Sequence, residues 1–161
     1  MGPDIEIRRA DFADPALARF LQDHLDDMEP TAPPESRHAL DLAALRRPTV
    51  RLWTALDDGA IVGTVALATL EPGHEELKSM RTDPTRRSRG IGARLLATAL
   101  DDARARDVRR VSLETGSMDF FAPARRLYER AGFRPCPPFA DYTDDPNSAY
   151  FTLELAPDPV D

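Results

Sequence analysis

The stretch Arg86-Arg-Ser-Arg-Gly-Ile-Gly-Ala-Arg-Leu-Leu96 gathers positive charge in a chain whose formal net charge is −7. Ile91, Leu95, Leu96, Ala99 and Leu100 recur behind it at helical spacing, so its two glycines stand where a helix begins. A helix start exposes unpaired backbone N–H groups and about half a positive charge. Gly90 and Gly92 carry no Cβ, so an anion can approach that backbone closely. Arg87 and Arg89 would add charge-assisted hydrogen bonds. The chemistry that suits this pattern is the grip of a phosphate or diphosphate; a solvated basic turn is the alternative. Spacing removes two other phosphate loops. Gly-x-x-x-x-Gly-Lys-Ser/Thr is absent, and Leu95 stands where the third glycine of Gly-x-Gly-x-x-Gly belongs.

Other groups are less specific. Tyr128 recurs with Ala124 and Leu127 at helical spacing, which fits a core aromatic as well as a functional hydroxyl. His24, His38 and His74 are scattered and show no metal-ligand spacing with Cys136. His24 falls on a helix beside Phe20 and Leu21; His38 and His74 read as solvated. No Ser-His-Asp arrangement stands out, and Leu113-Glu-Thr-Gly116 is not a nucleophile elbow.

The elements that must position these groups follow from periodicity and punctuation. Ile5-Glu-Ile7 reads as a first strand and residues 16–28 as a helix. A second helix starts near Glu35 or Ser36, with Leu40, Leu42 and Leu45 on one side. Residues 50–56 and 60–70 are strands joined by the turn Asp57-Asp58-Gly59, and Pro72-Gly73 turns into a strand over 76–82. A helix over 90–105, a strand over 108–114 and a helix over 123–131 capped by Gly132 come next. Strands from Phe133 and over 149–155 complete a mixed α/β order, with no linker, so residues 1–161 form one domain.

Composition bounds the function. At 42% hydrophobic and 30% charged, the 161 residues suit one folded domain. The acidic balance speaks against a nucleic-acid partner. No run reaches the roughly 18 apolar residues of a membrane span. The first residues lack the apolar core of a signal peptide, and one cysteine permits no internal disulfide, so a cytoplasmic protein is expected.

The order strand, Arg87-Ser-Arg-Gly-Ile-Gly92, helix, strand, then Ala124-Arg-Arg-Leu-Tyr-Glu-Arg-Ala-Gly-Phe133 resembles the GNAT superfamily of acetyl-CoA-dependent N-acyltransferases. The likeness runs from about residue 5 to 155 and is densest over 76–133. Lys78-Ser-Met-Arg-Thr82 and Leu113-Glu-Thr-Gly116 resemble a bacterial small-molecule-type subgroup. The resemblance implies a twisted mixed sheet of six or seven strands, flanked by about four helices and splayed between the fourth and fifth strands. It implies acetyl-CoA as cosubstrate and no metal. Backbone groups of Met80 and Thr82 are expected on the pantetheine arm. The loop Arg87, Ser88, Arg89, Gly90, Ile91, Gly92 and Ala93 is expected on the diphosphate. Many members carry an asparagine where Phe121 stands; Asp119 could cap the late helix instead.

Acetyl transfer to an amine needs a neutral nucleophile, an oxyanion donor and an acid for the thiolate. A free alkyl amine titrates near ~10, so about one part in a thousand is neutral at pH 7. Glu76, eleven positions before Arg87, matches the family's catalytic glutamate and is the expected base; Glu75 is its alternative, since one residue of register reverses the face. Tyr128 matches the family tyrosine and is the expected acid. Glu35, Ser36, His38, Lys78, Arg81 and Tyr142 are expected around a small amine acceptor, with charges of both signs suiting an amino acid or related zwitterion. A protein or peptide acceptor, or a non-catalytic acyl-CoA sensor, is the alternative. A homodimer is a family-level expectation.

Overall fold

The computed structural model describes residues 5–28, 42–83, 85 and 90–155. Its elements are β1 (Ile5–Arg9), α1 (Pro15–Met28), α2 (Leu42–Leu45), β2 (Val50–Asp57), β3 (Ala60–Glu71) and β4 (His74–Thr82). Then come α3 (Ile91–Ala105), β5 (Arg110–Gly116), a 3-10 turn (Asp119–Phe121), α4 (Ala122–Arg130), β6 (Arg134–Pro135) and β7 (Ser148–Glu154). The described strands form one sheet in the order β1-β2-β3-β4-β5-β7-β6. β1 to β4 are an antiparallel meander. β4 and β5 run parallel across α3, and β7 returns antiparallel between β5 and β6.

Local chemistry explains the hairpins. Asp58 and Gly59 both take positive φ between the paired Asp57 and Ala60, as a two-residue hairpin turn matching strand twist requires. Pro72-Gly73, with Gly73 at φ 82°, closes β3 onto β4.

Strand alternation splits the core between the two faces of the sheet. Trp53, Ala55, Val65, Leu67, Leu77, Val111 and Leu113 pack under Ile91, Leu95, Leu96, Ala99 and Ala103 of α3, with Tyr128 and Phe133 beside them. Leu52 and Ala66 face the other way, against Leu17 and Leu21 of α1 and Leu45 of α2. Gly63 lets α3 sit close on β3: a Cβ there would lie 2.7 Å from Leu95 Cδ1 and 3.0 Å from the Arg81 carbonyl oxygen.

Two irregularities shape the middle of the sheet. The β4–β5 ladder runs from His74↔Arg110 to Leu77↔Leu113 and stops, while β4 continues to Thr82 and β5 to Gly116. The sheet therefore forks there. In addition, Ala66 pairs with Lys78 but Thr64 pairs with Arg81, so β4 carries an extra residue. Ser79 takes φ 54° at this bulge, and its carbonyl accepts a 2.7 Å bond from Thr64 Oγ1.

Candidate active site

Among the described residues, the fork leaves the β5-facing edge of β4 from Lys78 to Thr82 without a strand partner. An amide-bearing chain can pair with such an edge as an added strand. Met80 and Thr82, expected on the pantetheine arm, lie along it. α3 points its N-terminus at the same end of β4. A Cβ on Gly92 would lie 3.2 Å from Leu127 Cδ2 and 3.5 Å from Thr82 Oγ1, so the missing Cβ serves the close packing of α3, β4 and α4. Gly90 caps α3 at φ 75°, with nothing within 4 Å of where its Cβ would be; its role is conformational, on an open approach. Ile91 is buried in the core, so only its backbone and that of Ala93 are available to an anion. Arg87, Ser88 and Arg89 lie outside the described residues, as do Glu35, Ser36 and His38.

The bulge decides which β4 side chains share the face opposite α3. Strict alternation would set Met80 beside Glu76 and Lys78. With the extra residue, Met80 turns to the α3-side cluster and Arg81 takes its place, its guanidinium 5.4 Å from the Phe20 ring centroid on α1. Glu76, Lys78 and Arg81 therefore stand together.

Glu76 is only 6% exposed. Its Oε2 accepts hydrogen bonds from Lys78 Nζ at 3.0 Å and from the Tyr142 hydroxyl at 2.5 Å, and Lys78 Nζ also reaches the Tyr142 oxygen at 3.1 Å. Both bonds end on one carboxylate oxygen, Oε2. A cavity of about 330 Å³ is lined by Glu76 with Leu70, Ala140, Asp141, Tyr142, Thr143 and Asp145. Tyr142 is held there by an aromatic cluster, its ring centroid 5.1 Å from Phe139 and 5.6 Å from Tyr150. Burial, then the Glu76 charge, pushes the Tyr142 hydroxyl well above its ordinary range, so it stays protonated.

Glu75, the alternative base, lies on the opposite face. Glu75 points to the α3 side, where Arg106 grips it through two 2.8 Å bonds. Arg106 also binds Asp102, which Arg51 holds bidentately. Burial raises Asp102, but these guanidinium bonds outweigh it and hold its carboxyl below the usual range. Glu75 is thus a structural anchor of β4.

Tyr128 is buried on α4, edge-on to Phe133 at 5.8 Å. Burial, then the charge of Glu114, raises its hydroxyl far above the usual range, so it is a proton donor throughout neutral pH. No described residue hydrogen-bonds that hydroxyl.

Three features escaped the sequence reading. Glu114 is the first β5 residue beyond the fork and shares the face of Glu76; Ser148 Oγ donates to it at 2.6 Å. The alternation of Ser112 with Glu114 was the available signal. His74 is not solvated: its side chain is 16% exposed and its Nε2 lies 2.7 Å from Ser112 Oγ, which contacts Thr152 Oγ1 at 2.9 Å. Parallel pairing of β4 with β5 created that contact, and no local pattern announces it. Asp119 is no cap; it opens the 3-10 turn, and α4 has no side-chain cap bond. Phe121 instead lays its ring over Gly116, where a Cβ would fall 2.1 Å from it. Among the described residues no His, Cys, Asp and Glu group has metal-binding geometry, and no helix is long and apolar enough to cross a membrane.

A sequence profile of the acetyltransferase (GNAT) family matches residues 17–133. The chain belongs to the GNAT family. Its acetyltransferase character is carried equally by full-length relatives. A Bacillus subtilis protein named uncharacterized N-acetyltransferase YsnE is 41% identical over 94% of this chain and 100% of its own length. The IAA acetyltransferase of Azospirillum brasilense is 36% identical over 95% and 99%. Among solved structures, an acyl-CoA N-acyltransferase of Klebsiella pneumoniae superposes with a TM-score of 0.79 at 31% identity, covering 94% of this chain and 98% of that one. The forked GNAT sheet expected from the sequence is the sheet observed, and the enzyme is an acetyltransferase of the family that uses acetyl-CoA.

Proposed function

We propose that this GNAT enzyme acetylates the primary amine of a small molecule that also carries an acidic group, an amino acid or related zwitterion, by direct attack in a ternary complex. The observation that carries this reading is the buried Glu76 carboxylate, tied to Lys78 and Tyr142 on the wall of a 330 Å³ cavity beside the fork. A cavity of that size suits a small acceptor. The relative named IAA acetyltransferase supports a small-molecule acceptor in the same sense.

Acetyl-CoA supplies the thioester carbonyl that the amine attacks. The unpartnered edge of β4 and the open approach at Gly90 fit its amide-bearing arm and its diphosphate. Met80, Thr82, Gly90, Ile91, Gly92 and Ala93 would hold them through backbone groups, with Arg87, Ser88 and Arg89 adding loop contacts. Glu76 receives the ammonium proton and delivers a neutral amine. Lys78 and Arg81 on the same face supply cations toward the acceptor's acidic group. Tyr128, held neutral by burial, protonates the departing thiolate.

The test is thiol release from acetyl-CoA across amino acids, simple amines, and basic peptides. Turnover confined to zwitterions supports the reading. Turnover confined to amines lacking an acidic group, or to peptide tails, sinks it; binding of acetyl-CoA with no turnover of any amine would make the protein a sensor.

A further inference from the structure

The chain has one lysine. Of its 21 basic residues all others are arginine, and the single side-chain amine, Lys78, is the first β4 residue beyond the fork. It is also one of the most enclosed cations described, with its side chain 11% exposed. Its Nζ lies 3.0 Å from Glu76 Oε2, 3.1 Å from the Tyr142 oxygen and 5.7 Å from the Tyr142 ring centroid.

We propose that Lys78 is a self-modification site, acetylated by acetyl-CoA bound to the same molecule when no acceptor fills the cavity. The inference rests on the reading that the cavity beside Glu76 receives the acceptor. Lys78 is then a primary amine, the acceptor's own functional group, held beside the carboxylate that removes the acceptor's proton. An oriented neighbour of this kind reacts as if present at very high local concentration. Arginine cannot substitute, since a guanidinium stays protonated and is not nucleophilic.

The step balances without a further reactant. The ammonium gives one proton to Glu76, and the neutral Nζ attacks the thioester carbonyl. The N–C bond forms as the C–S bond breaks; the nitrogen sheds its second proton and the departing thiolate takes one up. One proton is released in total. The amide is a poor leaving group, so the product is an end state and not an acyl carrier. It lacks the positive charge, so Glu76 loses its ion pair and an acetyl group is added beside Glu76 and Tyr142, two residues of the cavity wall. Acceptor and Lys78 therefore compete, and an enzyme starved of acceptor closes its own pocket.

The experiment is intact-mass measurement and peptide mapping of the purified protein incubated with acetyl-CoA and no acceptor. The expected result is one added acetyl group on Lys78. Its rate should saturate with acetyl-CoA, be independent of protein concentration, and fall about tenfold or more with excess desulfo-coenzyme A, as an oriented intramolecular reaction requires. Lys78→Arg should gain no acetyl group at a side chain. Labelling that grows linearly with acetyl-CoA and ignores the competitor is chemical acetylation and overturns the inference. So does an unmodified Lys78 in protein that turns over added amines, while the proposed function stands. Acetylation of Lys78 without turnover of any amine removes the acceptor assignment and overturns the competition on which the inference rests. The peptide map of the unaltered protein decides, whatever the fold of the variant.

Discussion

At the scale of single residues, the proposed mechanism divides acid from base by environment. Tyr128 is buried in the core and feels the Glu114 charge, which together favour the neutral phenol. Tyr128→Phe should lower kcat about 100-fold while calorimetric binding of coenzyme A stays unchanged. An equal loss of binding would make Tyr128 a packing residue. Glu76→Gln should cut kcat/KM about 100-fold near neutral pH. That deficit should shrink as pH rises toward the acceptor's own pKa near ~10, where the amine is neutral without help. A deficit that stays constant with pH would move the base elsewhere, and Glu114, on the same face one residue past the fork, is the next carboxylate to change.

At the scale of elements, β4 carries most of the site and is held from both sides. Arg106 clamps Glu75 from the α3 face, and Asp102 ties that clamp to β2 through Arg51. Removing one partner of a buried pair strands the other charge. Arg106→Ala should therefore destabilise the fold by about 3 kcal/mol, the low end for a buried pair because Arg106 itself is partly exposed. Denaturant unfolding measures it; a change under about 1 kcal/mol would place the pair with the weak surface bridges. Gly63→Ala tests the seating of α3. The new methyl meets Leu95 and the Arg81 carbonyl, so a loss of about 1–3 kcal/mol is expected, with weaker coenzyme binding as α3 is pushed from β4.

Across the whole molecule, all three tyrosines are raised above their ordinary range, each first by burial. A group raised in the folded state favours folding below its unfolded value of about 10, and that stability is lost as pH climbs beyond it. Phenolate absorbance should therefore stay low past the pH where free tyrosine ionises, then appear together with loss of far-ultraviolet helix signal. Ordinary ionisation near ~10 with the fold intact would show that the aromatic cluster around Tyr142 is open to water.

How much of this was legible follows from the range of each interaction. The strands of the meander, the helix behind Gly90 and the turns at Gly59 and Gly73 come from periodicity and from residues tolerating positive φ, properties of neighbours in the chain. The Gly-x-Gly loop and the Leu-Tyr pair are likewise local, which made the GNAT resemblance readable. The sequence named Glu76 as a candidate base and Lys78, Arg81 and Tyr142, with Glu35, Ser36 and His38, as candidate acceptor residues. It left Glu75 and Glu76 open, because a one-residue register decides the face and register is set by partner strands. Only the tertiary structure separates their faces, with the Arg106 clamp on Glu75 and Tyr142 on Glu76. Only it showed that a bulge at Ser79 exchanges Met80 for Arg81, since a bulge is a mismatch between two strands and neither strand encodes it alone. And only it brought His74 onto Ser112 and the chain's single lysine onto Glu76 and Tyr142, contacts that arise when parallel pairing and a distant loop close on one another.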